Sequence, residues 1–333
     1  MREVREVGAL RAWLGAERAA GRRVGFVPTM GALHEGHLSL IRRAAAETEV
    51  CVISVFVNPL QFEDPADLAA YPRRLAADVE AAAEAGAAGV FHPPVEELYP
   101  SGAEQPALWV EVGALGQDLE GAWRPGHFRG VATVVTKLLG AVGPCRAYFG
   151  EKDYQQLLVV RQLVRELLLP VEVVGCPTVR EPDGLARSSR NERLDPAARA
   201  AGLALYRALR AGEAAIEAGA TSPEAVEAPW AEVAASEPAV RVDYLVVRDP
   251  ATLAPLRTLP AGGEVRLLGA LRVGGVRLID NLAATVPGGP GSSGGGHGGA
   301  AGLGGKERGR GPGRRGGWAR RALGSGPVEG EGA

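Results

Sequence analysis

The sequence predicts an α/β fold: a Rossmann-like doubly wound parallel sheet followed by a smaller α+β C-terminal domain. Two observations carry that expectation. Short apolar runs at 24–28, 51–57, 90–92, 147–149 and 171–177 alternate with stretches of helical period over about 180 residues, the pattern of strands joined by crossover helices. Runs such as CVISVFV (51–57) are continuously apolar rather than alternating, as in strands buried on both faces.

The first helix is expected over about Val4–Ala20, closed by Gly21, with the first strand at 24–28. Pro28 leads into a loop holding Gly31, His34, Gly36 and His37, and Leu38, Ile41 and Ala45 then share one helical face. CVISVFV ends at Asn58-Pro59, with Gln61 and Phe62 in the loop beyond. Asp64, Pro65 and Asp67 open an Ala-rich helix to about Ala85, and Gly86 and Gly89 lead into the strand Val90–His92. Residues 93–128 read as loop-rich and 131–142 as a helix. Ala147–Phe149 is a strand, GEKD (150–153) a turn, Tyr154–Leu168 a helix and 171–177 a strand.

From Arg180 the texture changes. REPDGLARSSRNERL is a polar loop, and Asp195-Pro196 starts a helix to about Ala218. Thr221-x-x-Glu224 offers a capping box for the next helix. Strands follow at 241–248, 264–273 and 276–280. The domains are therefore placed at 1–177 and 178–286, with a Gly/Arg-rich tail at 287–333.

That tail holds 20 of the 47 glycines and 7 Lys/Arg against 3 Glu, so it carries +4 and leaves −2 − 4 = −6 on the body. It has almost no apolar pattern to offset the entropy of ordering and is read as disordered. Its basic character could serve nucleic acid, but without aromatics beyond Trp318 the expectation is a passive extension and no nucleic-acid partner. Three cysteines without metal-ligand spacing favour a reducing compartment. There is no charged-then-apolar leader and no apolar run near 18 residues, so a cytoplasmic enzyme without a membrane partner is expected.

The chemistry concentrates in the first loop. A helix N-terminus offers unpaired N–H groups and a positive dipole end, so an anion is favoured there. Gly31 and Gly36 let backbone approach a ligand closely. Histidines at His34 and His37 can donate hydrogen bonds to phosphate oxygens as charge develops. A zinc site or plain helix capping are the other uses of such a loop. Zinc would need ligands beyond His92 and His127, the remaining histidines of the body. Ligands of a parallel sheet lie beyond the C-terminal ends of its strands, and the polar motifs all follow strands at that edge.

H-x-G-H after a first strand resembles the nucleotidyltransferase superfamily shared with class I aminoacyl-tRNA synthetases. Within PTMGALHEGH (28–37) it resembles the pantoate–β-alanine ligase (pantothenate synthetase) family. FVNPLQF (56–62), YPR (71–73), RPGHFRGV (124–131), YFGEKDYQQL (148–157), DGLARSSRN (183–191), DYLVVRD and the closing RLIDN match that family in order, over roughly residues 1–283. The resemblance implies ATP-dependent joining of (R)-pantoate and β-alanine through a pantoyl adenylate, with release of AMP and pyrophosphate, Mg²⁺ accompanying ATP, and a homodimer. The nearest alternative is another nucleotidyltransferase of the same superfamily.

Site roles follow from the same resemblance. Met30, Gly31, Ala32, Leu33, His34, Glu35, Gly36 and His37 would line the ATP site, with His37 catalytic and His34 beside it on the phosphates. His37 would stabilise the pentavalent transition state or protonate the leaving group. Gly150, Glu151, Lys152 and Asp153 would form the second nucleotide loop. Lys152 would be a catalytic point charge, and Asp153 would contact ribose or help hold Mg²⁺. Val179 would meet adenine, and Ser188, Ser189 and Arg190 the phosphates. Arg187 stands where the family usually has an apolar residue, so only its backbone is expected to serve ATP. Gln61 and Gln156 would hold pantoate, as amides that both donate and accept. The 178–286 domain would act as a lid over the ATP site.

Overall fold

The Val-rich runs pair with one another because each is apolar on both faces and so needs cover above and below. The computed structural model describes residues 1–62, 65–104 and 106–288. Six parallel strands form the larger sheet among these residues: β1 (Arg2–Val4), β2 (Val24–Thr29), β3 (Val50–Val55), β4 (Gly89–Phe91), β5 (Cys145–Gly150) and β6 (Val171–Cys176). Their order is β1-β4-β3-β2-β5-β6.

Among the described residues, eight α-helices accompany them: α1 (Val7–Ala19), α2 (Glu35–Glu47), α3 (Pro65–Ala70), α4 (Leu75–Glu84), α5 (Val95–Leu98), α6 (Glu120–Trp123), α7 (His127–Val142) and α8 (Tyr154–Glu166). Strand residues alternate between faces. Val24, Phe26, Val52, Phe91 and Phe149 pack with Leu10 of α1, Leu139 of α7 and Leu157 of α8. Val27, Ile53, Val90 and Tyr148 pack on the other face with Ile41 of α2 and Ala82 of α4. Burial of a side chain such as Phe26 or Ile41, both fully buried, contributes about 1.5–3 kcal/mol. The sheet is thus doubly wound, as expected.

The strand order has one functional consequence. From β2 the chain passes through α2 to β3 on one side, and from β5 through α8 to β6 on the other. The topological switch point lies between β2 and β5, where ligands of open α/β sheets bind. The loop after β2 and the turn after β5 flank it.

The remaining chain builds α9 (Pro196–Gly202), α10 (Ala204–Glu217), α11 (Pro223–Ala235) and the antiparallel strands β7 (Arg241–Arg248), β8 (Glu264–Val273) and β9 (Val276–Thr285). Leu209, Ile216 and Trp230 pack on Val265 and Leu267. Arg277 of β9 reaches the larger sheet's side, meeting Glu120 at 2.5 and 2.8 Å and Asp243 at 2.7 Å, while the Tyr244 hydroxyl donates to Glu120 at 2.7 Å. Both sheets belong to one compact unit, Met1–Gly291.

Four local expectations change. The opening is a three-residue edge strand before α1, because Arg2 N–H donates to the Ala88 carbonyl and Val4 accepts from His92. The helix expected up to Ala85 is two helices, broken at Tyr71-Pro72, since proline lacks the N–H and disfavours helix in the residue before it. The 195–218 helix is interrupted at Leu203. The α11 cap is Ser222, whose Oγ accepts from Ala225 N–H, rather than Thr221. The expected helix start at Asp64 and the tail from residue 289 onward lie outside the described residues.

Candidate active site

After β2 the chain must turn sharply before α2 can begin, and the turn is held by a carboxylate from another helix. Gly31 has φ +82° and Ala32 φ +51°. The Ala32 and Leu33 N–H groups donate to Asp78 Oδ2 and Oδ1 at 3.0 and 2.8 Å, and Asp78 is buried on α4. A Cβ at residue 31 would lie 2.8 Å from Asp78 Oδ2, so glycine is required both by φ and by this approach.

The two histidines then cap α2. His34 Nδ1 accepts the Gly36 N–H at 3.1 Å, and His37 Nδ1 accepts the His34 N–H at 3.4 Å. Their rings lie 4.1 Å apart, tilted by 31°. Burial, then the cations Lys152 and Arg187, depress His34 to about 4. Burial, then His34, depress His37 to about 3. Both imidazoles are neutral near pH 7. With Nδ1 engaged as an acceptor, the proton of each resides on Nε2.

On the other side of the switch point, GEKD forms a 3₁₀ turn at Glu151–Asp153 ahead of α8. Lys152 and Asp153 line a cavity of about 570 Å³ together with Ser188, Arg190 and Arg193. Burial works against ionisation of Asp153, but the charges around it, Lys152 and Arg190 foremost, together outweigh it and hold its carboxyl below the ordinary value. Ser188 Oγ accepts the Arg190 N–H, which caps the 3₁₀ turn Ser189–Arg193. Arg193 pairs with Asp67 at 3.1 Å, Arg74 with Glu192 at 3.8 Å, and the Tyr71 hydroxyl meets Ser189. These contacts join the 188–193 segment to the 67–74 segment.

Gln61 follows β3. Asn58 Nδ2 donates to its Oε1 at 3.1 Å, and its Nε2 donates to Met30 Sδ at 2.9 Å. The Gln61 carbonyl is met by Arg124 Nη2 and His127 Nδ1 at 3.3 and 3.2 Å. Gln156 lines a small cavity with His127, Phe128, Lys152 and Asp153. Gln61 is not among the residues lining that cavity, and His127, which is, joins the two through the Gln61 carbonyl. Met30 lines a third cavity, of about 340 Å³, with Asp78 and His92.

Arg187 lies opposite Val179, whose carbonyl accepts its N–H, and its guanidinium pairs with Glu181 at 2.8 Å. It also stands beside Gly36: a Cβ there would fall 3.9 Å from Arg187 Cβ. Val134 and Val135 of α7 are buried in the core. Sequence reasoning left Asp78 without a role and did not single out Asn58 or Arg124. Asn58 and Arg124 stand inside the FVNPLQF and RPGHFRGV stretches, a signal from which they could have been found. Nothing in the local sequence marks Asp78, an acid on an Ala-rich helix.

The Pantoate-beta-alanine ligase family profile matches residues 2–283. The pantothenate synthetase of Moorella thermoacetica is 48% identical over 286 residues, covering 86% of this chain and 99% of that protein. That of Herpetosiphon aurantiacus is 52% identical over 268 residues, covering 80% and 96%. The crystal structure of pantothenate synthetase from Thermus thermophilus superposes with a TM-score of 0.78 at 52% identity, covering 85% and 99%. A Francisella tularensis pantoate-beta-alanine ligase complexed with beta-gamma ATP and beta-alanine superposes with a TM-score of 0.69 at 33% identity, covering 85% and 97%.

Proposed function

The chain belongs to the pantoate–β-alanine ligase family, and we propose that ATP is held between the 30–37 loop and the 150–153 turn, with pantoate against Gln61 and Gln156. The enzyme joins pantoate to β-alanine at the expense of ATP. A pantoate carboxylate oxygen attacks the α-phosphorus, the bond to pyrophosphate breaks, and pantoyl adenylate forms. The β-alanine amine then attacks the acyl carbon, loses a proton, and AMP departs.

The observation that supports these roles is the juxtaposition at the switch point. Two neutral imidazoles stand on one side, within the electrostatic reach of Lys152 on the other. Displacement at phosphorus needs alignment and charge neutralisation more than a protein nucleophile. His34 and His37 supply Nε2–H donors preset by their capping bonds, which cost no reorganisation as charge grows on the phosphates. Neutral in the free protein, with its pKa held near 3 by burial, His37 meets the incoming phosphates as a hydrogen-bond donor. Lys152 and Arg190 neutralise the pyrophosphate, and Ser188 and Ser189 add hydroxyl donors. Val179 and the Arg187 backbone face the base.

Mg²⁺ belongs to this reading. It keeps several waters and takes one or two carboxylates along with substrate phosphates, and Asp153, ionised and lining the cavity beside Lys152, fits that donor set. The cation would add positive charge to the phosphates. Residues 178–286 serve as a lid whose 188–193 segment closes onto 67–74 through the Arg193–Asp67 and Arg74–Glu192 pairs. The working enzyme is a cytoplasmic homodimer, a state that light scattering measures directly; no helix among the described residues is long and apolar enough to cross a membrane.

Incubation with ATP, pantoate and β-alanine tests the function. AMP release must require both acids, and pyrophosphate release must require pantoate alone. AMP formation without β-alanine would point instead to another nucleotidyltransferase.

A further inference from the structure

Asparagine is scarce in this chain, with three residues in 333, and all three spend their side chains in the loops around the site. Asn58 holds Gln61, and Asn191 Nδ2 donates to the Ala186 carbonyl at 3.0 Å beside the Ser188–Arg190 segment. The third, Asn281, lies far from both in sequence, on β9 in the RLIDN stretch, for which the reaction above has no use.

Asn281 is buried. Its Nδ2 donates to the Glu151 and Lys152 carbonyls, both at 2.9 Å. Its Oδ1 accepts from Arg266 Nε at 2.7 Å and from Arg266 Nη2. Both donors and the acceptor of the amide are thus in use. Arg266 in turn stacks on the Tyr154 ring at 3.8 Å and meets Glu151 Oε2 at 3.3 Å. The residue before it, Asp280, binds Arg180 at 2.6 and 3.0 Å, at the root of the hairpin that carries Ser188.

A lysine is a point charge on a flexible four-carbon stem, so its placement depends on where its backbone is held. The Glu151–Asp153 turn has no side-chain cap of its own. We propose that Asn281 is a positioning residue for adenylation: by clamping the Glu151 and Lys152 carbonyls it fixes the backbone from which Lys152 reaches the phosphates. This rests on the reading of Lys152 as a phosphate ligand. A purely structural asparagine would matter for folding and for both half-reactions alike.

The test is a double-mutant cycle on the full-length protein, reading pyrophosphate release for adenylation and pantothenate formation from supplied pantoyl adenylate for the second half-reaction. Asn281→Asp keeps an acceptor for Arg266 and removes both N–H donors. It should slow adenylation roughly 10- to 100-fold, the size expected of a misplacement near 1 Å, and leave the second half-reaction unchanged. Combined with Lys152→Ala it should be no slower than Lys152→Ala alone, since the two act through one group. Additive losses, equal losses in both half-reactions, or an Asn281→Asp rate near wild type would overturn the proposal. If Asn281→Asp does not fold, Asn281→Ser, which adds no charge, takes its place in the same cycle. Full activity in Lys152→Ala would instead overturn the phosphate reading on which the proposal stands.

Discussion

His34 and His37 cap α2 through one another: His37 Nδ1 accepts the His34 N–H, and His34 Nδ1 accepts the N–H of Gly36 between them. The capping bonds that start the helix also choose the tautomer, and the tautomer turns both Nε2–H groups into donors. On the proposed function, the two rings that start the helix are also the ones that would stabilise the transition state.

His37→Ala should lower the rate of pyrophosphate release by about 10²- to 10³-fold, the range for losing one preorganised donor. The lost cap should cost about 1 kcal/mol of stability, so the variant should still fold, as far-UV circular dichroism would show. Near-normal turnover would remove His37 from the reaction.

Burial holds His34 at about 4, and His37 and His127 each at about 3, against 6.5 for an ordinary imidazole. The unfolded chain therefore binds these protons more readily than the folded one. Their contribution to stability is fully present above pH 6.5 and is lost as pH falls toward the folded values of 3 to 4. The melting temperature should drop between pH 7 and pH 5, and the drop should be smaller in His127→Gln. An unchanged drop, or an NMR titration of His37 near 6.5, would contradict this.

Asp78→Ala leaves the Ala32 and Leu33 N–H groups without their acceptor at a turn of positive φ. An unsatisfied buried partner costs about 1–3 kcal/mol, and the loosened loop should raise KM for ATP more than KM for β-alanine. Gly31→Ala should do the same by pressing on Asp78. Steady-state kinetics of the two variants, with unfolding curves, separate a loop effect from a global one; equal shifts in all three KM values would speak against a loop effect.

Gln61→Ala should raise KM for pantoate more than KM for ATP. Asn58→Ala, which frees the Gln61 amide without removing it, should give a weaker change in the same direction. An equal change for both substrates in Gln61→Ala would take that residue out of the pantoate site.

The strands of the larger sheet were legible in the chain because a strand covered on both faces must be apolar throughout. The His34/His37 loop was legible because its residues are consecutive. The edge strand Arg2–Val4 was not: it is three residues long and buries only Val4, so it leaves almost no pattern. The break at Pro72 was written in the sequence as Tyr71-Pro72 but masked by the alanines on either side.

The sequence by itself determined that a strand, a glycine-bearing turn and a helix would bring two histidines to a helix N-terminus, because those constraints act over neighbouring residues. Which groups would steady that end was decided by the tertiary structure alone. Asp78 reaches the loop across 45 residues and Asn281 reaches the lysine turn across 129. A hydrogen bond between residues so far apart leaves no periodicity or spacing behind. It exists only after sheet packing has brought α4 and β9 alongside the switch point.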